Sequence, residues 1–443
     1  MLPISPTSTS RRRAAALLVG VALVTAGILP ASRAEAATSP ANGRGLQVGA
    51  RIVTVSTLAD KGPGSLRAAL DQRGPRIVVF SVGGYIELES DLIIQSGQVT
   101  VAGETAPGTG IVLRGGSLKV RTGQVELRNI AVYAGSTNDP KIAENRDSIS
   151  VYGSPSRKNV IRDVVLSHVT AGWGVDENMD LQGLVDGVRV EHSFFVQGLR
   201  NGGHPKGVHS MNLLLGNPVQ RAEILGNIFA GSEQRSPRLT NGNRAAVINN
   251  FIYGYGRAST HIDRSKTILN PGAIDVVGNV YQATGDSTCK QPIVQMSKDF
   301  FDGGPRTDVH LADNRAIGDD AGCIDAAKAP IPAGLSDAPV RPVDDWRTRA
   351  SAYVYPAILD QAGARPGARN PIDARAIAGI RAGTLRIIGT EADAGGYPRI
   401  EPTSRPVDAP VEGRIAGEGD LKRLAGWLCD EQKAVGGVSS ACR

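Results

Sequence analysis

Val188-Arg189-Val190-Glu191-His192-Ser193-Phe194 places a short alternating apolar run before a polar pair and a second apolar run after it. Alternation with a period of two is the mark of a strand with one face buried. The same arrangement recurs in Val125-Glu126-Leu127-Arg128-Asn129-Ile130, Val164-Val165-Leu166-Ser167-His168-Val169 and Ala222-Glu223-Ile224-Leu225-Gly226-Asn227-Ile228-Phe229. It returns in Ala246-Val247-Ile248-Asn249-Asn250-Phe251 and Val276-Val277-Gly278-Asn279-Val280-Tyr281. With the Asn or His as the mark, positions 129, 168, 192, 227, 250 and 279 lie roughly 23 to 39 residues apart, a solenoid spacing. The pattern predicts a coil that turns sharply at the polar pair and stacks in parallel on the coil before it, about 4.8 Å away. Inward Val, Ile and Leu would fill a narrow core, and stacked Asn side chains would bond to one another and to the turn backbone. A β-sandwich would need tight hairpins, and Asn-Gly or Asp-Gly turns between paired strands are sparse. The expected fold is all-β, a right-handed parallel β-helix.

The ends of the chain differ from this middle. Arg11-Arg12-Arg13, the apolar run Ala14 to Leu29 and the small-x-small site Ala34-Glu35-Ala36 read as a secretory signal peptide over residues 1–36. Residues 37–49 read as a flexible leader. Ser65 reads as the N-cap of a short capping helix from Leu66 to Arg73, stopped by Gly74-Pro75. The solenoid is expected over residues 50–328. From 329 to 443 the chain turns proline-rich and then carries three helix-like stretches, Val354–Ala364, Asp373–Ala382 and Leu421–Val435. This extension has too few apolar residues for a core of its own and is expected to pack on or cap the solenoid.

Export agrees with the cysteines. Four allow three disulfide connectivities, and nearness along the chain favours Cys289–Cys323 and Cys429–Cys442. No Cys/His cluster has zinc spacing. The formal charge is +6, and loss of a signal holding four arginines and one glutamate leaves about +3. That surplus suits an acidic partner, whereas the low aromatic content and lack of a basic run in the mature chain speak against nucleic acid. The Ala, Gly and Arg content suggests a high-GC bacterial source.

Two patches carry chemistry. Arg146-Asp147-Ser148-Ile149 and Gly172-Trp173-Gly174-Val175-Asp176-Glu177-Asn178-Met179-Asp180 gather carboxylates. On an extended strand Asp176 and Asp180 face the same way, and Asp147, about one coil earlier, would stack beneath them. Converging carboxylates repel unless a hard cation such as Ca²⁺ joins them. Solvated turn aspartates are the bland alternative. The second patch, Glu233-Gln234-Arg235-Ser236-Pro237-Arg238, offers two guanidinium groups suited to carboxylates on a ligand.

These motifs resemble pectate lyases of polysaccharide lyase family 1. Gly103-Glu104-Thr105-Ala106-Pro107-Gly108-Thr109-Gly110-Ile111 is similar to the family's AGxTAPGxGI segment. The opening Val55-Ser56-Thr57-Leu58-Ala59-Asp60 through Gly62-Pro63-Gly64-Ser65-Leu66-Arg67, and Gly395-Gly396-Tyr397-Pro398, also resemble members, the opening those of bacteria. Asp147, Asp176 and Asp180 fall where the family places its primary calcium ligands, and Arg235-Ser236-Pro237-Arg238 matches its R-x-P-R motif. The resemblance implies a secreted, calcium-dependent enzyme that cleaves polygalacturonate by β-elimination and leaves 4,5-unsaturated ends. Arg235 would be the base and Arg238 a substrate-carboxylate ligand. It implies a monomer acting on plant cell-wall polysaccharide, with no nucleic-acid partner and no membrane partner once the signal is cleaved.

The chain departs from the family in places. Val164-Val165-Leu166-Ser167-His168 lacks the Trp and Asp of the vWiDH element, Met211 stands for a lysine and Thr240 for a third arginine. Lys206 or His209 is the expected stand-in on the substrate carboxylate. His192, His204 and His261 read as solvated loop or ladder positions. The retained aspartates favour pectate over methylated pectin, and no paired-Asp motif of a polygalacturonase is present. The non-enzyme alternative is a secreted β-helical glycan-binding protein with weak or no catalysis, favoured by Met211 and Thr240.

Overall fold

Each coil of the chain contributes three short strands, and each strand pairs with its counterpart one coil away. The computed structural model describes residues 44–156, 158–216, 219–302, 306–318, 334–437 and 442. One coil runs Ile161–Ser167, Thr170–Gly172 and Glu177–Gly183, after which Val185–Glu191 lies parallel beside Ile161–Ser167. Repetition builds sheets of 10, 8 and 10 strands, parallel except where Thr403–Ser404 adds an antiparallel edge to the third. The fold is the expected right-handed parallel β-helix.

The apolar alternation becomes columns. In the first sheet Leu127, Leu166, Val190, Ile224, Val247 and Val276 are in register and almost wholly buried. Burying each such side chain is worth about 1.5–3 kcal/mol. Phe195 and Phe229 stack in the same interior with centroids 4.9 Å apart.

The polar pairs make the corner between the first and third sheets, in two columns rather than one. Asn129, His168, His192 and Asn249 take left-handed backbone angles (φ 47 to 55), as do Gly226 and Gly278. The ladder lies one residue later. Asn227 Nδ2 donates to Asn250 Oδ1 (3.0 Å), Asn250 to Asn279 (2.9 Å) and Asn279 to Asn314 (2.9 Å). Each of the four amides also donates to a carbonyl of an earlier coil: Val190, Ile224, Val247 and Val276 in turn. The marks read from sequence therefore mix the turn column (129, 168, 192) with the ladder column (227, 250, 279). The αL site tolerates Asn and His as well as Gly, so residue type alone cannot separate the two.

The capping helix is shorter than expected, Leu66–Leu70, with Ser65 Oγ accepting from Ala68 N–H (3.2 Å). In the resembling segment Gly103–Thr105 form a 3₁₀ turn, Thr105 Oγ1 accepts Phe80 N–H (2.9 Å), and buried Glu104 pairs with Arg128 (2.6 Å). Burial raises the Glu104 carboxyl to about 6 despite that pairing.

The C-terminal extension lies on the outside of the coil. Ile358, Ile372, Ile377, Ile380 and Ile388 pack against outward residues of the third sheet, among them Phe194, Ile228 and Phe251. Leu424 and Leu428 of the helix Glu418–Ala434 cover Ile77, Val79 and Ala102 of the first. A helix Pro371–Arg381 forms near the expected place, whereas Val354–Ala364 is only a 3₁₀ turn, Ala357–Asp360. Pro356 removes a backbone donor and disfavours helix at the residue before it.

Of the expected leader, residues 37–43 lie outside the described residues and the rest is corrected. Residues 44–49 pack from Arg44 onward, and Gly49 N–H reaches the Ile415 carbonyl (2.8 Å). The expected signal lies outside the described residues. Cys429–Cys442 is a disulfide. Cys289 is also disulfide-bonded, and its expected partner Cys323 lies outside the described residues. No helix among the described residues is long and apolar enough to cross a membrane.

Candidate functional site

Four strands of the second sheet, Ile149–Gly153, Glu177–Gly183, Met211–Leu215 and Arg238–Thr240, lie side by side and bring both patches together. Ser150, Asp180, Leu214, Arg238 and His261 share one register position. Ile149 pairs with Met179, which sets Asp147 level with Glu177, and Glu177 in turn pairs with Met211.

A second polar ladder fixes the start of these strands. Asn178 Oδ1 accepts Gly174 N–H (3.0 Å), and Asn178 Nδ2 donates to Asn212 Oδ1 (2.9 Å). Asn212 Nδ2 continues to Ser236 Oγ (2.9 Å), just before Pro237. Arg146 ties the loops together: its guanidinium donates to the carbonyls of Gly135 (3.2 Å) and Gly115 (3.0 Å). Its own carbonyl accepts the amides of Val175 (2.9 Å) and Asp176 (3.2 Å). The Arg146 carbonyl thus holds Asp176 close to Asp147, and Asp147 Oδ1 accepts the Glu177 N–H (3.1 Å).

Asp147, Asp176 and Glu177 bring three carboxylate oxygens within 4.8 Å of one another. Asp180 stands outside this trio, buried, with Oδ1 lacking a hydrogen-bond partner. Burial first and the Asp176 charge second push the Asp147 carboxyl up to about 8. Burial and then Asp147 hold Asp180 well above the usual carboxylate range. Crowded, desolvated oxygens are what a hard divalent cation relieves, so these residues fit one. Glu177 escaped the sequence reading because strand parity paired Asp176 with Asp180. Asp176 precedes the strand, so parity does not apply to it.

Arg235 faces the cluster. Its backbone is left-handed (φ 66), its guanidinium forms an ion pair with Glu177, and burial, then Arg238, lowers its pKa to about 10. Arg238 Nε donates to Asp263 Oδ2 (2.7 Å), and burial lowers the neighbouring His261 to about 4. Met211 is buried, so the position read as a lost lysine presents no cation.

Of the expected stand-ins, Lys206 is exposed, and the contact it makes is from its amide to His204 Nδ1 (3.2 Å). His209 does reach the site, with Nε2 2.8 Å from Asp176 Oδ1. His204 and His261, read as solvated loop or ladder positions, are both buried against carboxylates: His204 on its loop near Asp176 (3.6 Å), His261 in the strand ladder near Asp263 (4.0 Å). Glu233 binds Arg200 (2.5 Å) and Arg257 (3.5 Å), two cations that sequence reasoning passed over. Arg200 comes from the loop of residues 199–209 and Arg257 from the following coil, where its N–H donates to the Glu233 carbonyl (2.8 Å).

Together these features define a parallel β-helix protein with a carboxylate cluster set against arginines. In sequence the chain is similar to proteins named probable pectate lyases. It is 32% identical over 238 residues to a probable pectate lyase C of Aspergillus flavus, 54% of this chain and 51% of that protein. With the protein of the same name from Aspergillus terreus it shares 27% identity over 369 residues, 82% of this chain and 80% of that one. The match to the first spans about half of that relative's length. No family model matches. Among solved structures, the major allergen of cedar pollen aligns with a TM-score of 0.51 at 15% identity, covering 69% of this chain and 86% of that one. A Bacillus pectate lyase in complex with trigalacturonate aligns with a TM-score of 0.51 at 11% identity, covering 72% and 95%. Identities this low establish the fold alone. The sequence relatives are fungal and do not support the bacterial source suggested by composition.

Proposed function

We propose that this chain is a secreted, calcium-dependent pectate lyase that cleaves polygalacturonate by β-elimination and leaves a 4,5-unsaturated end. One observation carries the reading: the Asp147, Asp176 and Glu177 carboxylates, with Asp180 behind them, face an arginine whose pKa is lowered to about 10. The names of the sequence relatives support it.

Bound at the cluster, Ca²⁺ would link enzyme and uronate carboxylates and acidify the proton on C5. Arg235 would accept that proton. An ordinary arginine is a hopeless base near neutrality, but with a value of about 10 roughly a tenth of it is neutral at pH 9. The C5–H electron pair becomes the C4–C5 double bond, the C4–O bond breaks, and the leaving oxygen takes a proton from solvent. Glu177 is shared, because a carboxylate engaged in the cluster lets go of Arg235 and frees it for substrate. Arg238, 31% exposed at its side chain, exchanges Asp263 for a substrate carboxylate.

The second reading, a glycan-binding protein with little catalysis, rests on the buried Met211 opposite Glu177. Ultraviolet absorbance of unsaturated product from polygalacturonate at alkaline pH, with calcium and then with excess chelator, decides between them. A rise abolished by chelator is expected of the lyase. Binding of pectate with no rise on any uronate polymer would establish the binding protein.

A further inference from the structure

His204 and His209 stack face to face over Asp176, with ring centroids 3.9 Å apart and planes 18° from parallel. Leu199 N–H to the Gly174 carbonyl (2.9 Å) and Asn201 N–H to the Gly389 carbonyl (2.8 Å) tie down the start of their loop. Gly203 (φ 105) packs so closely that an added Cβ would lie 2.1 Å from the Thr137 carbonyl oxygen. The imidazoles are therefore held in place by the coil and the C-terminal extension.

Their Nε2 atoms both approach one oxygen. His209 Nε2 lies 2.8 Å and His204 Nε2 3.6 Å from Asp176 Oδ1. Both nitrogens are buried, and neither completes a hydrogen bond. The nearer contact is not aligned for donation and the farther one is too long. A buried polar atom left in this state is costly, so it calls for a partner. Two imidazole nitrogens and one carboxylate oxygen all lie within 4.8 Å of one another.

Calcium does not suit this set, because it takes oxygen ligands. Zinc does, and four-coordinate zinc with bonds of about 2.0–2.1 Å keeps its ligand atoms about 3.3 Å apart. The two nitrogen–oxygen separations, 2.8 and 3.6 Å, straddle that value. We propose that Asp176, His204 and His209 form a transition-metal site of the zinc class, which shares Asp176 with the acidic cluster and leaves a fourth position open. Ligation through His204 Nε2 moves that ring's proton to Nδ1, so its bond from the Lys206 amide (3.2 Å) is given up on loading. Gly207 (φ 85) allows that turn to adjust. The proposal is independent of the lyase reading and is tested without substrate.

The probe is Co²⁺, added to full-length mature protein stripped with chelator and dialysed free of calcium. One Co²⁺ per chain with visible d–d absorption is expected, and X-ray absorption of the Zn²⁺-loaded protein should show two imidazole nitrogens. His204→Gln and His209→Gln should each weaken Co²⁺ binding by more than about tenfold, and Asp147→Asn far less. Circular dichroism checks that the variants fold, and the wild-type spectra need no variant. Absence of binding at millimolar Co²⁺, metal held by oxygen alone, or unchanged affinity in both histidine variants would overturn the site.

Discussion

Two buried polar columns run along this solenoid and behave in opposite ways. In the corner ladder each of Asn227, Asn250 and Asn279 donates both to the next Asn and to a carbonyl of an earlier coil. At the second sheet, Asp147, Asp176 and Glu177 crowd together, Asp180 Oδ1 lacks a partner, and the His204 and His209 Nε2 atoms complete no hydrogen bond. Both columns are made of stacked polar side chains, so polarity and burial do not distinguish structure from function. Satisfaction does. A neutral amide has donors and an acceptor to share with its own kind, whereas a carboxylate has only acceptors and needs a cation. The first column is complete within the protein, whereas the second keeps unsatisfied atoms that the cation of the proposed function would engage.

The contrast is most sharply tested at Arg235. Arg235→Ala should lower lyase turnover by about 10²–10⁴-fold, the range for loss of a general base, while pectate binding persists. Product absorbance and a pull-down on insoluble pectate measure the two, and turnover within tenfold of the parent would remove Arg235 from the role of base. At the ladder, Asn250→Ala strands several buried groups and should cost about 2–3 kcal/mol in urea unfolding with unchanged calcium affinity. A loss below 0.5 kcal/mol, on the order of a surface change, would make the ladder incidental.

The acidic column should respond with the opposite sign. Asp180→Asn removes a buried charge, so in chelator at pH 9 it should stabilise the protein by about 1 kcal/mol or more, and it should weaken calcium binding. Lower stability together with unchanged calcium affinity would take Asp180 out of the cluster. The pH dependence follows from the same charges. Asp147 titrates near 8 when folded and about 4 when unfolded, so the folded chain holds the extra proton between those values. Metal-free stability should therefore be greatest at the acid end of that window and fall as pH rises through 8. Calcium affinity should rise over the same range with proton release, measurable by calorimetry in buffers of different ionisation enthalpy. The smallest effect is expected at exposed Lys206, where alanine should change KM by less than about twofold. A large rise would return it to the substrate site.

The sequence alone determined the coil. Alternation is local, one residue against the next but one, so the parallel solenoid could be read from it; the capping helix was legible from its N-cap and stop, and the R-x-P-R patch from its resemblance to a pectate lyase motif. It also named Asp147, Asp176, Asp180, Arg235 and His209 among the residues now found around one cluster. Tertiary structure decided what depends on register between coils. It put Glu177 rather than Asp180 in the tight trio, split the polar pairs into a turn column and an Asn ladder, and buried His204 beside Asp176. It also turned Lys206 to solvent and packed the chain from Arg44 onward. A one-residue slip is invisible in a list of apolar and polar types, yet it moves a side chain to the other face of the sheet. Which carboxylates meet, and whether they find a partner, is settled only when the coils stack.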